Sequence, residues 1–237
     1  MTPAQASNKP VISYGPSRGR AEPIRLILEE LGIEYRERRV GSWQEWMALK
    51  PQMPFQQLPA YEDGDLFIVQ SHAIYRYLAR THDLYGHTEA ERIDCDIVEE
   101  ALRDARQEFW RFLKGLLPEK DRGLFAAGRL TTTLDCLEKY FRRHSADTKF
   151  WGGDALTFVD LLAFAYLDDV RALFPETLPK FGKLRDFRDR IAARPRLADY
   201  VSSDRRPAAI LFGPDGQPVI DPESRAPVPS PWTFGIE

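Results

Sequence analysis

Tyr14 closes a short apolar run, Val11-Ile12-Ser13, and runs at once into Gly15, Pro16, Ser17, Arg18, Gly19 and Arg20. A phenol at such a point has two readings. One is a buried tyrosine beside a solvated basic turn. The other is a hydroxyl aimed at a small anionic ligand, because a phenol keeps its proton up to a pH of about 10 and so remains a donor. Ser17 is a second hydroxyl on the same turn. No cysteine stands nearby, so disulfide exchange through a protein thiol is not expected there. The histidines, His72, His82, His87 and His144, share no metal-ligand spacing, and no metal is expected.

The elements that must position the turn are legible from periodicity. Residues 11–14 read as a short buried strand. Ile24, Ile27, Leu28 and Leu31 fall on one helical face, and Gly32 is a natural stop, since glycine enters the left-handed cap without strain. Residues 33–40, IEYRERRV, read as a second strand charged enough to lie at a sheet edge. Strand, helix, strand in this order is a βαβ unit with parallel strands. An irregular or partly helical stretch leads to LPAYEDGDLFIV, where Asp63-Gly64 signals a hairpin. QSHAIYRYLART then reads as a helix with Ala73, Ile74, Tyr77 and Leu78 on one face. From residue 89 the periodicity is helical throughout, in runs at 89–117, 124–145, 156–174 and 181–203. Thr157 with Asp160 is placed to form a capping box. Residues 207–237 hold seven prolines and are expected to form an extended tail without a core of its own, with Trp232 and Phe234 as candidate pins to the body.

The chain has 237 residues, 43% of them hydrophobic, which is enough for one large domain or two smaller ones. A net charge of -3 without a basic stripe gives nucleic acid and membrane surfaces a low prior as partners. Two cysteines, Cys95 and Cys136, far apart in helix-like patterns, argue for reduced thiols in a cytoplasmic protein. The first ten residues do not read as a secretory leader, and no apolar run approaches the roughly 18 residues of a membrane span.

Taken together, the first 80 residues have the element order of a thioredoxin-like fold, followed by an all-helical part. Three stretches, YGPSRGRAEPIRL, QQLPAYEDGDLFIVQSHAIYRYLAR and LYG, closely resemble cytosolic glutathione transferases of the tyrosine type, nearest the pi, mu and sigma groups. The likeness runs from about residue 10 to about 205. It implies a thioredoxin-like glutathione-binding domain over 10–83, an all-α domain over 89–204 and a tail over 205–237 outside the family pattern. It further implies a homodimer that takes glutathione as co-substrate and a hydrophobic electrophile, with no metal, nucleic acid or membrane. A non-catalytic binding or structural protein of the same fold, or a glutathione-dependent isomerase or peroxidase, is the alternative.

The resemblance assigns roles residue by residue. Tyr14 matches the catalytic tyrosine, with Ser17 its rival, and Arg20 matches the arginine that orients the phenol. Glutathione reacts as its thiolate, and a free thiol ionises near pH 8.5. Bringing it near 6.5 takes about 2.7 kcal/mol of preferential thiolate stabilisation. One hydrogen bond to a charged sulfur contributes about 1.5–3 kcal/mol, so a single phenol aided by a helix N-terminus suffices. Trp43 and Lys50 match residues at the glycyl carboxylate, although one extra residue separates them relative to the pi pattern. Gln57 matches a residue beside the cysteinyl-glycine backbone, Leu58-Pro59 matches a cis-proline step, and Gln70 and Ser71 match the γ-glutamyl site at a helix N-terminus. Asp104 matches the residue that reaches glutathione in the neighbouring subunit, and Phe55 the aromatic key of the dimer. Gly15, Pro16, Phe109, Trp110 and Leu113 are the electrophile-pocket candidates. Glycine at 15, where an aromatic residue often stands, implies a more open pocket.

Overall fold

The computed structural model describes residues 9–117, 121–144, 149–212 and 217–223. Its first part runs β1 (Val11–Tyr14), α1 (Glu22–Leu31), β2 (Arg36–Arg39), α2 (Trp43–Leu49), β3 (Ala60–Asp63), β4 (Leu66–Val69) and α3 (Ser71–Thr81). The four strands form one sheet in the order β2-β1-β3-β4. β1 and β2 are parallel because the helical crossover α1 joins them, while β1–β3 and β3–β4 are antiparallel. This is the thioredoxin-like arrangement that the element order implied. β2 lies at the edge, as its charges required. The β3–β4 turn is Gly64-Asp65, one residue later than Asp63-Gly64, since Asp63 still pairs with Leu66. Gly64 takes φ +58° there.

Helix α1 stops where glycine allows it. Gly32 adopts φ +68° and its N–H donates to the Glu29 carbonyl at 3.0 Å, while Ile33 N–H reaches back to Leu28 at 2.9 Å. One apolar face was expected, but Glu22, Arg25 and Leu26 are buried as well. The helix packs against α3, α7 and α9, so little of its surface reaches solvent. On α3, Ala73 faces outward, and Tyr75 and Ala79 join Ile74 and Leu78 in the core.

The remaining helices are α4 (Glu89–Leu113), α5 (Arg122–Phe125), α6 (Thr131–His144), α7 (Phe158–Leu173), α8 (Gly182–Ala192) and α9 (Pro195–Val201). α5 continues into α6 through a π-helical turn, Ala126–Leu130. The single run expected over 181–203 breaks in two, because Pro195 starts a new helix where its missing N–H costs nothing. α7 is buried on every side, as befits a central helix. The expected capping box is present: the Asp160 carboxylate accepts from Thr157 N–H at 2.7 Å, Thr157 Oγ1 at 2.8 Å and Trp151 N–H at 2.9 Å. One continuous apolar core links Ile12 and Ile24 beneath the sheet to Leu162, Leu184 and Tyr200 among the helices.

The tail departs from expectation. β5 (Ala209–Phe212) and β6 (Pro218–Ile220) pair antiparallel as a hairpin. Ala208, Ala209, Ile210 and Leu211 are buried against the body. The proline count concealed a short apolar segment, AAIL, that needs the body to bury it. Trp232 and Phe234, the proposed pins, lie outside the described residues.

Between α1, α7 and this tail sits a buried ionic cluster. Arg206 pairs with Glu22 at 2.7 Å and with Asp168 at 2.8 Å, and Arg188 and Arg171 also reach Asp168. Burial pushes the Glu22 and Asp168 carboxyls up, but the surrounding guanidinium groups, Arg206 first, outweigh it and hold both below the usual carboxylate range. A carboxylate with a depressed folded pKa contributes stability above its unfolded pKa of about 4 and loses it as pH falls through the folded value. Asp168→Asn is therefore expected to cost about 3–5 kcal/mol near neutral pH, because it leaves buried arginines uncompensated. Urea unfolding across pH should show the gap to the wild type narrowing below about pH 4, and a gap constant with pH would contradict this account.

Candidate active site

Tyr14 is the last residue of β1, and its carbonyl accepts from Val40 N–H at 2.8 Å, which anchors the strand end to the start of the next connection. Its side chain is half-buried. The phenol oxygen accepts a hydrogen bond from the backbone N–H of Arg20 at 3.0 Å. That bond occupies a lone pair and leaves the hydroxyl proton to be donated elsewhere.

The turn carrying Arg20 is held at almost every polar group. Arg25 donates to the carbonyls of Ser17 at 3.0 Å and Arg18 at 3.3 Å. Arg106 donates to the Gly19 carbonyl at 2.8 Å, and the Tyr75 hydroxyl donates to the Arg20 carbonyl. Burial pushes the Tyr75 phenol up to about 12, so it remains a donor through the physiological range. Gly19 takes φ +41°, and a Cβ on it would lie 2.4 Å from the Tyr14 oxygen. The glycine is there because the phenol and the turn touch.

Arg20 contacts Tyr14 through its backbone. Its guanidinium lies over the Trp110 ring, 5.1 Å from the centroid, and Arg106 lies 5.0 Å from the same ring. Ser17 is buried, 6% exposed, with its N–H turned back to the Gly15 carbonyl at 2.8 Å. Gly15 and Pro16 are half-buried beside Tyr14.

On the next strand connection the Leu58-Pro59 peptide bond is cis. Gln57 is exposed beside it, and Gln70 Nε2 donates to Gln57 Oε1 at 3.3 Å. Gln70 adopts φ +72° immediately before α3, a conformation that non-glycine residues hold only where the surroundings impose it. Ser71 opens α3 and is buried. The site therefore faces the free N–H groups of a helix N-terminus, which suits an anion. Trp43 begins α2 and is 39% exposed, Lys50 caps the other end of α2, and Trp46 packs on a small cluster of Val40, Leu49, Met53 and Ala60.

Four further candidates take the following places. Phe109 is 1% exposed and packs edge-on to Tyr166 and Phe174 in the aromatic core, both at 5.8 Å, so the helix turn presents Trp110 to the cleft instead. Leu113 also packs partly on this core. Asp104 lines a groove between α4 and α6 with Ala101, Ala105 and Cys136, away from the Tyr14 turn of its own chain. Phe55 projects to solvent, 63% exposed. Sequence reasoning passed over Tyr75, Arg106 and Arg25. Tyr75 lies one helical turn after Ser71, the only local signal for any of the three.

Comparison with known proteins shows the family. Residues 11–80 match the glutathione S-transferase N-terminal domain and residues 103–204 the glutathione S-transferase C-terminal domain. A glutathione S-transferase of Dirofilaria immitis is 35% identical over 81% of this chain and 91% of its own length. Glutathione S-transferase P 1 of Xenopus laevis is 34% identical over 83% and 93%. The solved structure of the Onchocerca volvulus pi-class glutathione S-transferase superposes with a TM-score of 0.77 at 32% identity, covering 81% of this chain and 92% of that one. The chain belongs to the glutathione S-transferase family. Among the described residues, no helix is long and apolar enough to cross a membrane, and no group of three His, Cys, Asp or Glu is placed to hold a metal.

The packing of Gly19 against the phenol yields a test that leaves Tyr14 itself in place. Gly19→Ala forces either the turn or the ring to move, and turnover should fall about tenfold or more, as expected for displacement of a reacting group by a fraction of an ångström. Melting should show a loss of only about 1–2 kcal/mol, the cost of a left-handed alanine. Turnover equal to the wild type would refute the contact.

Proposed function

We propose that this chain is a cytoplasmic, homodimeric glutathione transferase in which the Tyr14 hydroxyl donates to the sulfur of glutathione and holds it as the thiolate. Residues 10–83 bind the tripeptide, residues 89–204 supply the other wall of the cleft, and 205–237 form an appended tail. The thiolate attacks a hydrophobic electrophile. A sulfur–carbon bond forms as the leaving group departs with its electron pair, or, in an addition, as a proton from solvent completes the product.

One observation carries the reading. The phenol oxygen already receives the Arg20 N–H at 3.0 Å, so its own proton is available to a ligand, and the accepted bond makes that proton a better donor. The donor set for the rest of glutathione is consistent with this. Ser71 and Gln70 at the start of α3 suit the γ-glutamyl carboxylate, the Leu58 peptide group before Pro59 suits the cysteinyl backbone, and Gln57, Trp43 and Lys50 suit the glycyl end. Arg20 acts on Tyr14 through its amide, and its guanidinium with Trp110 forms one side of the electrophile pocket beside Gly15, Pro16 and Leu113.

Self-association is supported by exposed apolar groups. Phe55, Phe67, Ile93 and Ile97 are 63%, 42%, 51% and 45% exposed, apolar groups that a subunit contact would cover. The two-fold dimer would bring Phe55 into the partner's α4–α6 groove and Asp104 to the partner's glutathione amine. Free cysteines at Cys95 and Cys136 suit a reducing compartment.

The deciding experiment is an ultraviolet titration of bound glutathione thiolate, followed by an electrophile panel. Tyr14→Phe is expected to raise the pKa of the bound thiol by about one unit or more, the loss of roughly one hydrogen bond to a charged sulfur. Glutathione affinity should stay nearly unchanged. An unaltered thiol pKa would move the role to Ser17 or to backbone groups.

A further inference from the structure

The C-terminal hairpin does more than cover apolar surface. The Ala209 carbonyl accepts from the backbone N–H of Arg18 at 2.8 Å, in the turn whose carbonyls are taken by Arg25, Arg106 and Tyr75. The Arg18 side chain, 1% exposed, spreads over the same segment: Nε donates to the Pro207 carbonyl at 3.0 Å and a terminal nitrogen donates to Asp221 at 2.6 Å. Asp221 closes the base of the hairpin, with its N–H on the Ala208 carbonyl at 3.0 Å and its second oxygen accepting from Glu223 N–H at 3.0 Å. Glu223 in turn pairs with Arg171 of α7 at 2.6 Å. Within the body, Arg18 has the weaker company of Asp169 at 3.4 Å and Asp168 at 3.8 Å.

Arg18 is followed by Gly19, which touches the Tyr14 ring, and by Arg20, whose N–H holds the Tyr14 oxygen. Any shift of Arg18 is passed to both through two peptide bonds. We propose that residues 207–212 and 217–221 are a strap that positions the Tyr14 turn, with Arg18 as the positioning residue and Asp221 as its fastening. The segment begins beyond residue 204, where the match to the glutathione S-transferase C-terminal domain ends. Arg25, Arg106 and Tyr75 hold the carbonyls of the turn, and the strap holds the amide and the side chain of Arg18. The inference rests on the proposed role of Tyr14.

The test uses the full chain carrying Asp221→Ala, with Asp221→Asn as a variant that keeps shape and one acceptor oxygen. Hydrogen exchange over residues 15–21 should quicken about tenfold or more as the turn opens more often. The thiol pKa of bound glutathione should rise by roughly half a unit or more, and kcat should fall several-fold. KM for glutathione should hold, because Ser71, Gln70 and the Leu58 peptide group lie on other elements. Unchanged exchange over 15–21 overturns the strap. So does a lowered melting temperature with thiol pKa and kcat intact, which would make the hairpin ordinary packing. If the wild type itself binds no thiolate, the role of Tyr14 fails, and the exchange experiment still decides whether the hairpin holds the turn.

Discussion

Under the proposed function, the phenol of Tyr14 hands its proton to a ligand and so has to be kept from handing it to the protein. In this molecule the Arg20 amide meets the Tyr14 oxygen as a donor, 3.0 Å away, and the hydroxyl hydrogen is left over. Everything around the turn serves to keep that amide in place. Glycine at 19 lets the chain pass against the ring, three side chains from α1, α3 and α4 take the turn's carbonyls, and the C-terminal hairpin takes the Arg18 amide. The precision needed is of the order of tenths of an ångström, and rigid elements deliver it better than a free loop.

That support is built largely from buried charge. Arg18, Arg25 and Arg206 are all nearly inaccessible, and each is surrounded by carboxylates or carbonyls. Removing a guanidinium from water costs several kcal/mol, which is recovered only when its donors are matched in direction. Asp168 and Asp169 interrupt the apolar helix α7 to supply that match. The two do not behave alike. Asp168 faces four arginines and is held ionised, whereas burial dominates at Asp169 and pushes its carboxyl up to about 6 even with Arg18 beside it. The cluster ties α1, α7, α8 and the tail together with directional bonds where apolar packing alone would tolerate sliding.

Much of this was legible in advance. The short strands, the Gly32 stop and the capping box at Thr157 follow from local chemistry, and each appears where the residues called for it. Tyr14, Leu58-Pro59 and Gln70-Ser71 come to one end of the sheet, because Ser13 pairs with Ala60 and Ala60 with Val69. Phe109 and Trp110 show the limit. Both are aromatic and adjacent on one helix, and only the neighbours Tyr166 and Phe174 decide which one turns inward. The tail misled in the opposite direction: prolines announced the absence of structure, but four apolar residues between them were enough once a surface existed to receive them.

The chain's own order of residues determined the class of fold and the place of Tyr14 at the end of the first strand, because periodicity, caps and turn glycines act over a few residues. Which arginines are buried, which groups grip the catalytic turn and what becomes of the C-terminal segment were decided only by the tertiary structure. Those outcomes depend on pairs such as Arg18 with Asp221 and Glu22 with Arg206, separated by most of the length of the chain. An arginine looks the same in the one-dimensional record whether water or a carboxylate solvates it, and the difference exists only after the chain has closed upon itself.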